Sequence, residues 1–525
     1  MLPSRVECLF SLTLLPAAGP GPGPGARPGR AAAGGASTVP AKYAALHGET
    51  AVAAVTARLA TLVTESTGSA VDVDAPLMES GLDSVAGVEL QQRAEQEFNV
   101  KLEPTAALDH PTAAALARHI TDVMGLLDLP LDVTAVAVVA AGAAGAEAGA
   151  GGGGGYGGAV VVSGATAVYA GGANDAGQFW SAMCGGCDPQ SEVPLARYDI
   201  DACYDPLVVR EIGVVTVRHG AFLGAEHAER FDVALLRVSP AEATHLDPQQ
   251  RLLLEQCARS VAAAELGAGD GGGEDLKART GVYVGCMYNE APQLQRIHGV
   301  DAGAHAGTGS GASFMVGRVS YCLALSGPCV STDTACSSSL VAAHLARRAV
   351  GVGDAAAGVA AGVNLALLHI NTSVICAIGA LSPVGRCKAL DATADGYGRG
   401  EGCGVFVIGH APSPRLPPGS GPAAAARVLL IVASAVNQDG RSSALTAPHG
   451  PSQQALLADI AREEAVGGSG GSRFIAMHGT GTGLGDPIET AAQARSFLGR
   501  GDQRAALGAP KAHYGRGYSS MMPSH

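Results

Sequence analysis

From Ala51 the chain places apolar residues with helical spacing: Val52, Val55, Leu59, Leu62 and Val63 share one face at intervals of three and four. A polar loop follows, and then LMESGLDSVAGVELQQRAEQEFNV, in which Asp83 or Ser84 caps a helix with a buried face of Val85, Val88 and Leu90. The stretch HPTAAALARHI puts Pro111 early in another helix, where its missing N–H costs little. These segments predict a small all-helical domain over 48–127. After Ala159 the pattern changes to short β runs set between helical segments: VVVSGATAV, TGVYVG, CVSTDTA, GVFVIG, RVLLIVASAV and RFIAMHG. Strands interleaved with helices predict α/β layering over 159–525.

Two segments lack either period. Residues 1–47 are dominated by Gly, Pro and Ala (GPGPGPGARPGRAAAGGAS), a composition that buries too little apolar area to offset its ordering entropy. The start of the chain (Arg5, then LFSLTLLPAAG) faintly resembles a signal or transit peptide. A disordered tether is the favoured reading of 1–47. Residues 128–158 (AAGAAGAEAGAGGGGG within them) read as a second tether, with an r.m.s. span of roughly 30 Å.

Composition narrows the partners. The net charge of −13 argues against nucleic acid or an anionic membrane surface. The longest uncharged apolar run, Val133 to Ala146, is too short to cross a bilayer. Twelve cysteines without a dense framework point to free thiols in a reducing compartment, the cytoplasm, with a plastid as the alternative. Cys184 and Cys187 have C-x-x-C spacing, but a zinc site wants a second pair or nearby histidines, so no metal is expected.

Two positions carry chemistry. Ser84 stands at a helix start beside Asp83, a rigid and reachable base for a long prosthetic arm; taken alone, a serine there is more often an ordinary N-cap. In STDTACSSSLVAAHLARRAV, Cys336 falls where a β run ends and a helix begins. The positive end of a helix dipole favours thiolate, the natural acceptor for an acyl group arriving as a thioester. Taken alone, such a cysteine is more often a small buried hydrophobe.

The wider context decides both. PLMESGLDSVAGVELQQRAEQEF followed by LDHPTAAALARHI resembles the phosphopantetheine-binding acyl carrier family over the whole helical domain. The resemblance implies a four-helix bundle with 4′-phosphopantetheine esterified to Ser84 by a phosphopantetheinyl transferase. Glu49 to Asp122 holds 12 acidic and 4 basic residues, a charge suited to basic docking partners. Further on, HLDPQQRLLLE, DTACSSSL, GALSPVGRCKALDATADGYGRGEGCG, NQDGRSSALTAP and HGTGTGLGDPIE occur in order. From Val160 to Tyr514 this resembles the β-ketoacyl synthase family in its modular polyketide synthase form. That implies a thiolase-like αβαβα fold of two α/β halves and a homodimer, working beside neighbouring synthase modules. It also implies Cys336 as the acylated nucleophile and His478 as a donor to the carbonyl of a malonyl-type thioester. The product would be a 3-oxoacyl thioester of polyketide or fatty-acid type.

The resemblance departs at one place. The family's Lys-x-x-x-Gly-His reads here as Lys511 to Arg516, so lysine and glycine align, which implies Lys511 as a third catalytic residue, while arginine stands where the family has histidine. After it the family pattern dissolves into GYSSMMPSH, and a condensing domain incomplete at its C-terminus is the expectation. Two other functions follow as alternatives: a loaded carrier beside a non-catalytic docking or dimerisation element, or a thiol hydrolase using Cys336 and His478.

Overall fold

The computed structural model describes residues 6–14, 40–126, 160–410, 429–466, 474–497 and 506–514, less short internal gaps of which 78–83 and 265–272 are the longest. The Gly/Pro tract over 15–39, the second tether and Arg516 therefore lie outside the described residues. Contacts divide the chain into two compact units. No helix among the described residues is long and apolar enough to cross a membrane.

One unit is helical. Helix α1 spans Gly48–Thr67, α2 spans Ser84–Phe98 and α3 spans Ala113–Val123. The expected stripe of α1 is buried throughout, against Leu90, Ala94 and Phe98 of α2 and Leu116 and Ile120 of α3. Helix α2 stops before Asn99, which takes a left-handed φ of 50°. Thr112 caps α3 by accepting the Ala115 N–H at 3.1 Å. Pro111 thus precedes the cap instead of lying inside the helix, because the threonine hydroxyl is the better cap. The expected boundary at residue 47 also moves: Tyr43 is buried and packs its ring 5.4 Å from that of Phe98. An aromatic anchor of this size outweighs the local loop composition.

The other unit is built on a seven-stranded sheet in the order β1-β10-β2-β9-β7-β5-β6. The strands are β1 (Val6–Leu14), β2 (Val160–Tyr169), β5 (Thr280–Gly285), β6 (Cys329–Thr332), β7 (Ala357–Asn364), β9 (Gly402–His410) and β10 (Leu429–Gln438). Strands β3 (Gln190–Glu192), β4 (His219–Ala221) and β8 (Arg399–Gly400) form a small separate sheet. Strands β11 (Phe474–Ala476) and β12 (Ala506–Gly508) form a parallel pair.

Period-two alternation sends Val282, Val284, Val359 and Val363 to one face of the main sheet and Tyr283 and Ala360 to the other. Helix α4 (Pro248–Ala263) covers the first face through Leu252, Leu253 and Cys257. Helix α5 (Ser338–Val352) covers the second through Ala342, Ala346 and Val350.

The structure corrects the expectation of disorder at 6–14. Strand β1 pairs antiparallel with β10 from Val6 opposite Gln438 to Leu14 opposite Leu429, with a bulge at Ser11/Leu12. VECLFSLTL contains neither Gly nor Pro, and the edge of β10 offers it a hydrogen-bond ladder along its whole length.

Candidate active site

Strand β6 ends at Thr332, a single 3₁₀ turn spans Ala335–Ser337, and α5 starts at Ser338, so Cys336 stands on the bend between strand and helix. Ala335, directly before it, has φ of 56°, a left-handed conformation costing about 1–2 kcal/mol for a residue with a Cβ. A close set of hydrogen bonds holds the bend. Ala335 N–H donates to Asp333 Oδ1 at 3.0 Å, and Thr334 N–H donates to Ser338 Oγ at 2.9 Å. Ser338 Oγ in turn donates to the Ala335 carbonyl at 2.6 Å, and Thr332 Oγ1 donates to the Ser338 carbonyl at 3.0 Å. Backbone strain over-determined in this way marks a site that has to present one side chain in one place.

Cys336 is half-buried against an apolar cluster that includes Val215, Val217, Ile375, Cys376, Cys387 and Tyr397, with Met287 and Tyr288 at its edge. The Tyr288 phenol lies within electrostatic reach of Cys336 and Arg399, and burial raises its pKa. Elsewhere in the unit, burial pushes the Cys257, Cys286 and Cys403 thiols well up.

His478 follows β11 at the start of a tight loop that leads into helix α6 (Gly485–Phe497). Two carboxylates of α6 reach back to shape this loop. Glu489 accepts the His478 N–H at 2.5 Å and the Gly479 N–H at 2.9 Å. Asp486 accepts the Gly481 N–H at 3.1 Å and, from a different segment, the Leu390 N–H at 3.0 Å. Lys511 donates from Nζ to the His478 carbonyl at 2.8 Å, so it grips the histidine's backbone.

Cys336 and the His478 loop meet through the segment 387–396. Cys387 belongs to the cluster on which Cys336 packs. A Cβ at Gly481 (φ 72°) would come within 2.4 Å of Lys388 N, and the Gly481 carbonyl accepts the Gly396 N–H at 3.0 Å. Only glycine fits that close approach. Asp486 and Glu489 had a signal in the sequence, as the two acids of HGTGTGLGDPIE. Tyr288 had none, because its neighbourhood to Cys336 is made by the fold alone.

Ser84 is the first residue of α2. Among the described residues no group of three or more His, Cys, Asp or Glu side chains is placed to hold a metal ion.

Family comparisons agree with this architecture. Residues 158–412 match the β-ketoacyl synthase N-terminal domain, 428–521 the β-ketoacyl synthase C-terminal domain, and 55–120 the phosphopantetheine attachment site. The chain belongs to the β-ketoacyl synthase family and carries a phosphopantetheine attachment domain. It is 39% identical over 359 residues to a phenolphthiocerol/phthiocerol polyketide synthase of Mycobacterium tuberculosis, covering 68% of this chain and 22% of that one. It is 33% identical over 441 residues to Erythronolide synthase EryA3 of Saccharopolyspora erythraea, covering 83% of this chain and 13% of that one. The chain therefore spans under a quarter of the length of these relatives. Among solved structures, the ketosynthase from module 6 of the bacillaene synthase of Bacillus subtilis 168 is similar with a TM-score of 0.56 and 31% identity, over 68% of this chain and 58% of that one.

Proposed function

We propose that this chain carries out acyl transfer to Cys336 followed by decarboxylative Claisen condensation, with 4′-phosphopantetheine attached at Ser84. The observation that carries the reading is the strained, hydrogen-bonded bend that presents Cys336 at the edge of an apolar cluster. Cys336 Sγ attacks the carbonyl of an acyl thioester. A new S–C bond forms, the old one breaks, and the departing thiol takes up the proton lost by Cys336. A malonyl-type thioester then loses carbon dioxide, leaving the electron pair of the broken C–C bond as an enolate. His478 hydrogen-bonds the carbonyl on which that charge develops, a fixed donor of the kind worth about 3–4 kcal/mol. The carbanion attacks the acyl carbonyl on Cys336 and the cysteine sulfur leaves. Glu489 and Lys511 act from behind by holding the backbone of His478. The prosthetic arm supplies a flexible terminal thiol for thioester cargo, and Ser84 is its anchor.

The domain organisation is part of this reading: a four-helix carrier over 48–127, a linker over 128–158 and a two-halved, five-layered condensing domain from 159 onward. A homodimer fits as well. Strand β6 ends the main sheet, and the adjoining helix α7 (Ala312–Leu323) exposes Phe314 and Tyr321. An open edge beside two exposed aromatic rings suits pairing with a second copy. A phosphopantetheinyl transferase and adjacent synthase modules complete the partners.

The test follows carbon dioxide and product. Chain co-expressed with a phosphopantetheinyl transferase is expected to gain one arm, and Ser84→Ala none. Given an acyl thioester and malonyl thioester, wild type is expected to release carbon dioxide and form a 3-oxoacyl thioester, and His478→Ala to lose about two to three orders of magnitude in rate. Equal rates in wild type and His478→Ala would rule the proposed role out.

A further inference from the structure

Four consecutive backbone amides, Leu365 to Leu368, pass through the interior between β7 and helix α8 (His369–Ala377). Buried amides need partners, because water does not reach them. Each one donates to a buried side chain from elsewhere in the unit. Leu365 N–H donates to Gln249 Oε1 at 3.0 Å and Ala366 N–H to Glu401 Oε1 at 2.9 Å. Leu367 and Leu368 both donate to Glu290 Oε2, at 2.6 and 2.8 Å. The second oxygen of Glu290 accepts Asn371 Nδ2, in the first turn of α8, at 2.7 Å.

The two acids are not equivalent. Glu401 forms a bidentate pair with Arg197, at 2.8 Å in both arms. Glu290 instead spends its carboxylate on amides, and burial raises its pKa. Its place in the chain explains what this holds together. Glu290 lies two residues after Tyr288, whose carbonyl accepts Gln249 Nε2 at 2.7 Å. Met287 and Tyr288 on this segment, and Ile375 and Cys376 on α8, belong to or pack against the apolar cluster around Cys336. One carboxylate therefore ties two walls of that cluster to each other.

We propose that Glu290 is a positioning residue that sets the separation of the 287–290 segment from α8, and so the spacing of the apolar side chains beside Cys336 between which an acyl chain would be received. This deepens the acyl-transfer reading above and rests on it for the identity of the guest. The geometry itself is testable without any acyl transfer.

The experiment compares alkylation of Cys336 in the full chain by iodoacetamide and by its N-hexyl derivative, resolved by peptide mass spectrometry. Glu290→Gln keeps the size of the side chain but turns an N–H group toward existing donors. It is expected to change the ratio of hexyl to small-reagent rates at least about fivefold, since reactivity is steep in sub-ångström to ångström displacements of this kind. Asn371→Ala removes one of the three hydrogen bonds to Glu290, the one donated from within α8, and is expected to move the ratio in the same direction. Ile431→Ala, in the core cluster on the α5 face of the sheet, should lower Tm while leaving the ratio within about twofold. The inference is overturned if Glu290→Gln and Asn371→Ala both keep the wild-type ratio, or if Ile431→Ala shifts it equally. Failure of acyl transfer with the ratio still shifted would count against the condensing reading and leave the positioning role standing.

Discussion

Replacing Gly285 by alanine probes the nucleophile bend from behind. A Cβ there would lie 2.4 Å from the Ser338 carbonyl carbon, 2.5 Å from its oxygen and 2.5 Å from Ser339 N. All three are backbone atoms, so relief requires β5 and α5 to part by about 1 Å to reach ordinary contact near 3.4 Å. Neither element gives easily: β5 is paired on both sides, by β6 and β7, and the start of α5 is buried. Ser338 is also hydrogen-bonded to both Thr334 and Ala335, so its displacement passes straight to Cys336. Overpacking of this kind costs about 1–3 kcal/mol in stability, and about 1 Å of misplacement costs about 100-fold in rate. The assay is the time course of Cys336 acylation by an acyl thioester, followed by intact mass, alongside Tm. Gly358→Ala is the control, because its Cβ meets the Ala346 side chain of the same helix at 3.0 Å, farther from the bend. A Gly285→Ala chain that acylates within about threefold of wild type, or no more slowly than Gly358→Ala, would refute the coupling of strand, helix and nucleophile.

Glu489→Gln removes the charge that receives two backbone N–H groups at the His478 turn, and is expected to slow carbon dioxide release about 30- to 100-fold. Cys336 acylation is expected to stay within about threefold, and equal losses in both steps would contradict the assignment. In the helical unit, Arg58 and then Lys42 hold the Glu97 carboxyl down at about 2. Its stabilisation is therefore present above the ordinary glutamate pKa of about 4.3 and lost as pH falls toward 2. Because Lys42 is exposed to solvent, this amounts to about 1 kcal/mol, read as a smaller acid-induced loss of amide-exchange protection in α2 of Glu97→Gln; identical acid profiles would contradict it. Burial pushes the Asp247 carboxyl the other way, up to about 6. Its contribution is full below about pH 4 and lost as pH rises through about 6. Asp247→Asn should flatten the fall in Tm across that window, with Glu290, raised in the same direction, retaining part of the slope; an unchanged slope is the contrary result.

Much of this was legible in the sequence because the chemistry sits in contiguous runs. The α1 stripe and the six β runs written in Val, Ile, Phe and Tyr mark their own elements, and Cys336 and His478 lie inside long motifs. Strand β7, AGVAAGVN, escaped notice because its eight buried residues are mostly Ala and Gly, which carry little β propensity and pack closely under α5. Strand β1 was hidden by the Gly/Pro tract that follows it, and its place in the sheet depends on a β10 edge more than 400 positions away. Lys511 is in register with the family motif, but that its ammonium grips the His478 carbonyl is a fact of tertiary placement. The Glu290 network is of the same kind, since its members come from α4, the 287–290 segment, the 365–368 segment and the residue before β9.

The most direct measurement is peptide mass spectrometry of the full chain, expressed without a phosphopantetheinyl transferase so that Ser84 carries no arm, after incubation with an acyl thioester. The acyl mass is expected on the peptide containing Cys336, with none on the peptides of Cys257, Cys286 or Cys403 and none at all in Cys336→Ala. Absence of acyl label from wild type, or label that persists in Cys336→Ala, would contradict the account.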